Sequence, residues 1–190
     1  MGKTDRVLMV ALAASLLANV GLTFMWRQSR GASSSLSKSR FDERTLPHVG
    51  ARLDELHLLG LSGEKPDLNR GVDAPPTVAY VLSPTCRWCE LNRPDIDSLA
   101  TQMRGRYRFI GVSTTSKGLA DYVAQKAPPF PIYYVDPSSP HPSFQLSATP
   151  ETLVFSPGGA FVRGWNGAYL DDTKASILSF FGVALPDISK

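Results

Sequence analysis

The sequence predicts an α/β fold, in which helices flank a mixed β-sheet, and three observations support this class. Apolar runs rich in β-branched and aromatic residues, as in buried strands, alternate with segments of helical periodicity. That order produces crossover units with parallel strands. A Ser-Pro-Gly-Gly turn at 156–159 then separates two short apolar runs and indicates an antiparallel hairpin. An apolar content of 43% and a charged content of 19% suit a folded domain with a buried core.

The elements follow in order along residues 47–190. Strands are predicted at 77–82, 107–112 and 131–135, the hairpin at 151–155 and 160–164, and a shorter strand at 57–61. Helices are predicted at 86–103, 116–127 and 171–181. Ser116 is the expected N-cap of the second helix, and Pro94 lies inside the first.

The N-terminal part has a different organisation. Residues 1–6 form a short tail, and residues 7–26 are uncharged and long enough to span a bilayer core of about 30 Å as a helix. We expect a transmembrane anchor here, with a cleaved signal peptide as the alternative. Residues 27–46 are Ser-rich and charged, which indicates a flexible linker to the domain at 47–190.

Charge is distributed unevenly along the chain. Residues 1–40 carry a net charge of +5 and the remaining 150 residues carry −2, although the whole chain is +3. A slightly acidic folded part argues against nucleic-acid binding. The basic residues flank the apolar stretch, and basic residues in such a position usually indicate contact with a membrane surface.

The chain has only two cysteines, Cys86 and Cys89, in one C-x-x-C motif. A disulfide scaffold or a zinc site would need more ligands than these and three scattered histidines, and haem attachment would need His where Glu90 stands. We therefore predict no cofactor and no metal site. At a strand–helix junction, Cys86 is expected to be a stabilised thiolate nucleophile, with Cys89 one turn behind it as the resolving thiol.

The two residues between the cysteines are predicted to modulate this site. The positive charge of Arg87 should lower the pKa of the Cys86 thiol further. Trp88 offers a flat apolar surface to a partner protein.

Two stretches carry a resemblance to a known family. YVLSPTCRWCELNRP at 80–94 combines a strand end, C-x-x-C and a proline five residues later, and SATPETLVF at 147–155 precedes a Pro-Gly-Gly turn. They resemble the active-site segment and the cis-proline strand of the thioredoxin superfamily. The resemblance implies a thioredoxin-like fold, a cis Thr149–Pro150 bond, and a role for Thr149 and Pro150 in binding substrate backbone.

The branch of the superfamily is indicated by two further features. Residues 49–68, before the first core strand, are similar to the N-terminal β-hairpin of membrane-anchored TlpA-like proteins, and the Ser-Pro-Thr-Cys lead-in is similar to MauD-type proteins. Together with an anchored, exposed C-x-x-C, which suits an oxidising compartment, this resemblance predicts a single N-terminal transmembrane helix in a bacterial inner membrane, with the domain facing the periplasm.

Several positions depart from the family pattern. Tyr80 stands where thioredoxins have a buried acid, Thr85 where they have Trp, and Asn92 where TlpA-like reductases often have Glu. The sequence shows no obvious buried acid, so the route by which Cys89 loses its proton is left open.

The expected function is that of a protein disulfide oxidoreductase. It would exchange dithiols and disulfides with protein substrates outside the cytoplasm. An upstream redox donor would regenerate it. The resemblance implies a reductase in a maturation pathway, such as cytochrome c or cofactor-enzyme assembly.

Two alternatives remain. One is a thioredoxin-like module that binds or delivers copper, since soft thiolates bind Cu(I) and His141 lies on a Pro-rich loop. The other is a peroxiredoxin-like peroxidase, for which Ser83 fits the expected pattern but Ala79 does not.

Overall fold

A six-stranded mixed sheet is the centre of the described chain, which covers residues 46–68, 71–139, 144–146 and 148–184 of this computed structural model. The strand order is β1-β4-β3-β2-β5-β6. The strands are β1 (Leu58–Leu59), β2 (Thr77–Leu82), β3 (Arg108–Ser113), β4 (Ile132–Val135), β5 (Glu151–Phe155) and β6 (Phe161–Asn166).

Strand directions match the predicted class. β2 pairs in parallel with β3, and β3 with β4, whereas β1, β5 and β6 are antiparallel to their neighbours. The parallel strands come from crossover units, and the β5–β6 hairpin extends the sheet beyond β2. The mixed α/β architecture predicted from the order of elements is therefore confirmed.

Three α-helices lie within the described residues: α1 (Arg87–Gln102), α2 (Leu119–Lys126) and α3 (Asp171–Phe181). Pro94 is inside α1, as predicted. The expected N-cap of α2 is wrong: Gly118 takes that position at φ +72°, and Ser116 only accepts the Leu119 N–H through its carbonyl, at 3.2 Å. Glycine adopts this left-handed conformation without a steric penalty, and the helix starts at the residue that follows Gly118.

The helices share one face of the sheet instead of lying on both. Side chains from α1, α2 and α3 form a buried cluster with Val78, Tyr80 and Leu82 of β2. Successive right-handed crossovers from β2 to β3 to β4 step in one direction, which places α1 and α2 on the same side. The intervening residues Ala79 and Val81 point to the other face, as the period of two in a strand requires.

The opposite face of the sheet is covered by irregular chain. A 3-10 helix at Leu53–Leu56, together with Leu58 and Phe144, packs there against β2, β3 and β5. Within the described residues this extension contributes one two-residue strand, β1, which pairs with β4. The N-terminal β-hairpin stays a prediction.

The predicted tail, anchor and most of the linker, residues 1–45, lie outside the described residues. In the part of the chain that the structure covers, none of the helices combines the length and hydropathy needed to cross a bilayer.

Burial along α1 generates a stability prediction. Leu99 is fully buried against the sheet, whereas Leu91 on the same helix is 46% exposed. We expect Leu99→Ala to lower the free energy of unfolding by about 2–5 kcal/mol, because it leaves a cavity in the core. Leu91→Ala is the matched control and should cost about 0.5 kcal/mol or less. Urea unfolding of both variants measures the difference, and equal losses would contradict this packing.

Candidate active site at Cys86 and Cys89

The two cysteines form a disulfide at the start of α1. Their sulfurs are 2.16 Å apart, χ3 is 84° and the Cα atoms are 5.2 Å apart. Cys86 is half-buried, whereas Cys89 is only 1% exposed. A partner can therefore approach the sulfur of Cys86, while the sulfur of Cys89 is shielded behind it.

Cys86 is the N-cap of α1. Its backbone is extended, at φ −77° and ψ 106°, and its Sγ accepts the backbone N–H of Cys89 at 3.0 Å. N-cap side chains satisfy N–H groups that have no partner within the helix. When the disulfide opens, the same N–H and the positive end of the helix dipole favour a negative charge on that sulfur.

The turn that precedes α1 holds this sulfur in place. β2 ends at Leu82, and the Cys86 N–H donates to the carbonyl oxygen of Ser83 at 3.0 Å. The hydroxyls of Ser83 and Thr85 lie 3.3 Å apart. The buried strand and this hydrogen-bonded turn together determine where the helix begins.

The two residues between the cysteines are exposed on the first turn of α1. Trp88 is 51% exposed, and Arg87 lies beside Cys86. The one nearby acid on this turn, Glu90, is engaged by Lys126 at 2.6 Å and by Arg93 at 3.9 Å. Arg93 and Lys126 therefore offset the negative charge of Glu90.

The Thr149–Pro150 bond is cis, as the resemblance implies. Glu151 pairs with Val81, so Pro150 lies one position further on, beside the carboxyl end of β2 from which the chain leads to Cys86. Thr149 is half-buried and Pro150 buried. Among the described residues, no hydrogen bond joins the Thr149–Pro150 segment to either cysteine. The segment and the cysteine pair nevertheless lie at the same edge of the sheet.

A buried polar cluster lies directly behind Cys89. The Tyr80 hydroxyl donates to the Cys89 carbonyl oxygen at 3.4 Å, and burial raises the pKa of Tyr80 well above its ordinary value. Tyr80 is therefore a neutral hydroxyl where the family pattern has an acid. The hydroxyls of Thr152 and Tyr169 form a further hydrogen bond at 2.5 Å.

The side chain of Asn92 extends this cluster to the loop after β6. Its Oδ1 accepts the N–H of Tyr169 at 2.8 Å, and its Nδ2 donates to the carbonyl oxygen of Gly167 at 3.3 Å. Asn92 is 1% exposed, so water does not compete for these bonds.

Two fully buried acids were missed by the sequence analysis, which found none. Asp95 of α1 lies 3.3 Å from Lys174 Nζ on α3, and Glu151 accepts the N–H of Ala148 at 3.1 Å. Asp95 lies three residues after Asn92 and four before Leu99, a spacing that puts all three on one helix face. For Glu151, the sequence signal for burial was its position between Pro150 and the apolar run of β5.

No group of three or more His, Cys, Asp or Glu side chains in the described ranges could hold a metal ion. His141, the residue on which the copper alternative depends, lies outside the described residues.

Comparison with known proteins shows similarity in structure only. No protein-family model matches the chain, and no curated protein matches it either. Many solved structures are similar, and three of them serve as examples. A candidate thiol:disulfide interchange protein DsbE from Chlorobium tepidum has a TM-score of 0.57 at 15% identity, over 72% of this chain and 98% of that one.

The second is a candidate protein disulfide isomerase from Bacteroides thetaiotaomicron, with a TM-score of 0.55 at 12% identity, over 72% of this chain and 89% of that one. The third is a secreted Mycobacterium tuberculosis disulfide oxidoreductase homologous to E. coli DsbE. Its TM-score is 0.50 at 14% identity, over 68% of this chain and 98% of that one. This chain therefore has the thioredoxin-like α/β fold, with a cysteine pair at disulfide distance.

The buried Asp95 generates a pH prediction. Burial raises its pKa above the ordinary 3.8, and Lys174 offsets this only in part. The folded state then holds this proton more tightly than the unfolded state, so the free energy of unfolding falls as pH rises from 3.8 through the folded pKa.

Asp95→Asn removes this titration. We expect the stability of the variant relative to the unchanged protein to increase as pH rises through that window, measured by urea unfolding at successive pH values. Asp121→Asn, at an exposed acid on α2, is the control. A constant difference, or one that moves the other way, would show that Asp95 does not titrate as its burial requires.

Proposed function

We propose that this protein is a thiol–disulfide oxidoreductase. It exchanges a disulfide bond between its Cys86–Cys89 pair and the cysteines of protein substrates. The observation that carries the proposal is the half-buried sulfur at the N-terminus of α1, with a shielded second sulfur one turn behind it. A structural disulfide does not need one sulfur on a helix N-cap. An exchange centre does, because its reactive form is an anion.

The reaction transfers two electrons through sulfur. In the reduced protein, the Cys86 thiolate attacks one sulfur of a substrate disulfide, forming a mixed disulfide and releasing the other substrate sulfur as a thiolate that takes up a proton. Cys89 then loses its proton and attacks the Cys86 sulfur, which releases the second substrate thiolate. The substrate is reduced to a dithiol, and the protein is oxidised to the Cys86–Cys89 disulfide. A dithiol donor regenerates it by the reverse exchange.

Other residues near the site have supporting roles in this proposal. Arg87 lowers the pKa of the Cys86 thiol, since its charge is adjacent and Glu90 is offset by Lys126. Trp88 contacts the partner protein through its exposed ring. Thr149 and Pro150 bind the extended backbone of the substrate next to the reacting sulfur, in keeping with their position at the carboxyl end of β2.

We infer a reductase that serves a maturation pathway outside the cytoplasm, such as cytochrome c or cofactor-enzyme assembly. One similar structure is that of a candidate DsbE protein, and another is that of a secreted disulfide oxidoreductase homologous to E. coli DsbE. The uncharged segment at 7–26 and its basic flanks support a single-pass anchor in a bacterial inner membrane, with the domain in the periplasm and the TlpA or MauD type as the nearest branch.

Insulin reduction tests the activity. We expect the full-length protein in detergent to accelerate insulin reduction by dithiothreitol, because its thiolate forms at lower pH than that of the free reagent. Cys86→Ser should reduce the rate to that of dithiothreitol alone. Cys89→Ser should accumulate a mixed disulfide between Cys86 and an insulin chain, visible by mass spectrometry. If the unchanged protein gives no acceleration, or if Cys86→Ser retains it, the proposed function is wrong.

Membrane extraction tests the location. We expect the full-length chain to stay in the membrane fraction after alkaline carbonate treatment, since burying about 20 apolar residues in lipid resists extraction. A thiol-reactive probe that cannot cross the membrane should label the reduced protein in spheroplasts. Recovery in the soluble fraction as a chain shortened at its N-terminus would instead identify residues 7–26 as a signal peptide.

A further inference from the structure

Asn92 joins the helix of the cysteine pair to the loop that follows β6. It lies three residues after Cys89, almost completely buried, and both ends of its amide are used. Its Oδ1 accepts the N–H of Tyr169 and its Nδ2 donates to the carbonyl oxygen of Gly167. A side-chain amide accepts at one end and donates at the other without carrying charge.

The loop held by Asn92 is itself bonded to the cis-proline segment. The N–H of Gly167 donates to the carbonyl oxygen of Pro150 at 2.8 Å. Gly167 has φ +85°, in the left-handed region where glycine is favoured. A continuous set of hydrogen bonds therefore runs from α1, through Asn92 and Gly167, to Pro150.

We propose that Asn92 is a positioning residue, which holds the Thr149–Pro150 segment in register with the Cys86–Cys89 pair and so determines how well a protein substrate docks. This inference rests on the proposed function. Neither of the hydrogen bonds from Asn92 to Gly167 and Tyr169 involves a sulfur, so the sulfur chemistry itself should not depend on Asn92.

The chemistry of the amide makes the inference specific. Asn92→Leu keeps the approximate volume, removes both hydrogen bonds and brings no charge close to Cys89. The link from α1 to Pro150 is then broken at the bond between Asn92 and Gly167.

Two disulfide probes separate docking from sulfur chemistry. Insulin presents a polypeptide backbone that can extend along Thr149 and Pro150, whereas hydroxyethyl disulfide is too small to reach beyond Cys86. For the reduced full-length protein with Asn92→Leu, we expect the rate with insulin to fall about tenfold, the loss that one broken buried hydrogen bond implies. The rate with hydroxyethyl disulfide should stay within about twofold of the unchanged protein.

Gln102→Leu is the matched control. It makes the same amide-to-aliphatic change on the same helix at an exposed position, and both rates should be retained. If Asn92→Leu does not fold, Asn92→Ala provides the same comparison of the two probes. Circular dichroism identifies which variants are folded.

The outcomes separate the two proposals. If the unchanged protein exchanges with insulin but Asn92→Leu slows both probes equally, or neither, then Asn92 has no positioning role and the proposed function stands. If the unchanged protein does not exchange with insulin, the proposed function and this inference both fail.

Discussion

The site depends on one hydrogen bond, from the backbone N–H of Cys89 to the sulfur of Cys86. It exists because Cys86 is the residue at which extended chain becomes helix, so its side chain caps the first turn. The bond requires a helix that begins at a defined residue and cannot slide. β2 supplies that constraint, since all six of its residues are buried and the strand ends four residues before Cys86. The position of the cysteine pair is therefore a product of core packing.

Behind this bond, a polar layer lies inside an apolar core. The Tyr80, Thr152 and Tyr169 hydroxyls and the Asn92 amide each find partners among strands β2 and β5, helix α1 and the loop after β6. Leaving such groups unpaired would be costly away from water, so the helix and the loop have one favourable arrangement. This explains how the chain around the cysteine pair keeps its geometry.

Elements with a strong periodic pattern were predictable from the sequence. β2 and α3 begin and end where their patterns predict, because a continuous apolar run and an amphipathic helix with acids in its first turn have few alternatives. The start of α2 was missed, since a left-handed Gly118 ahead of a helix depends on the loop around it and not on helix periodicity. The cysteine pair was recognisable from spacing, and the cis bond only from resemblance.

The buried acids show a different limit. Whether Asp95 faces water or Lys174 depends on how α3 docks against α1, which no local pattern contains. The placement of all three helices on one face likewise depends on the order of strands in the sheet and not on the helices themselves.

That one-sided arrangement has a practical consequence for the boundaries of a working fragment. A truncation that begins at β2, the first long strand, would remove Leu53, Leu56 and Leu58 and uncover the apolar undersides of three central strands. Such a fragment would retain both cysteines but expose an apolar sheet surface that favours self-association. Expression vectors for the isolated domain should therefore start no later than Leu46, whose side chain already packs beside Leu153 and Gly164.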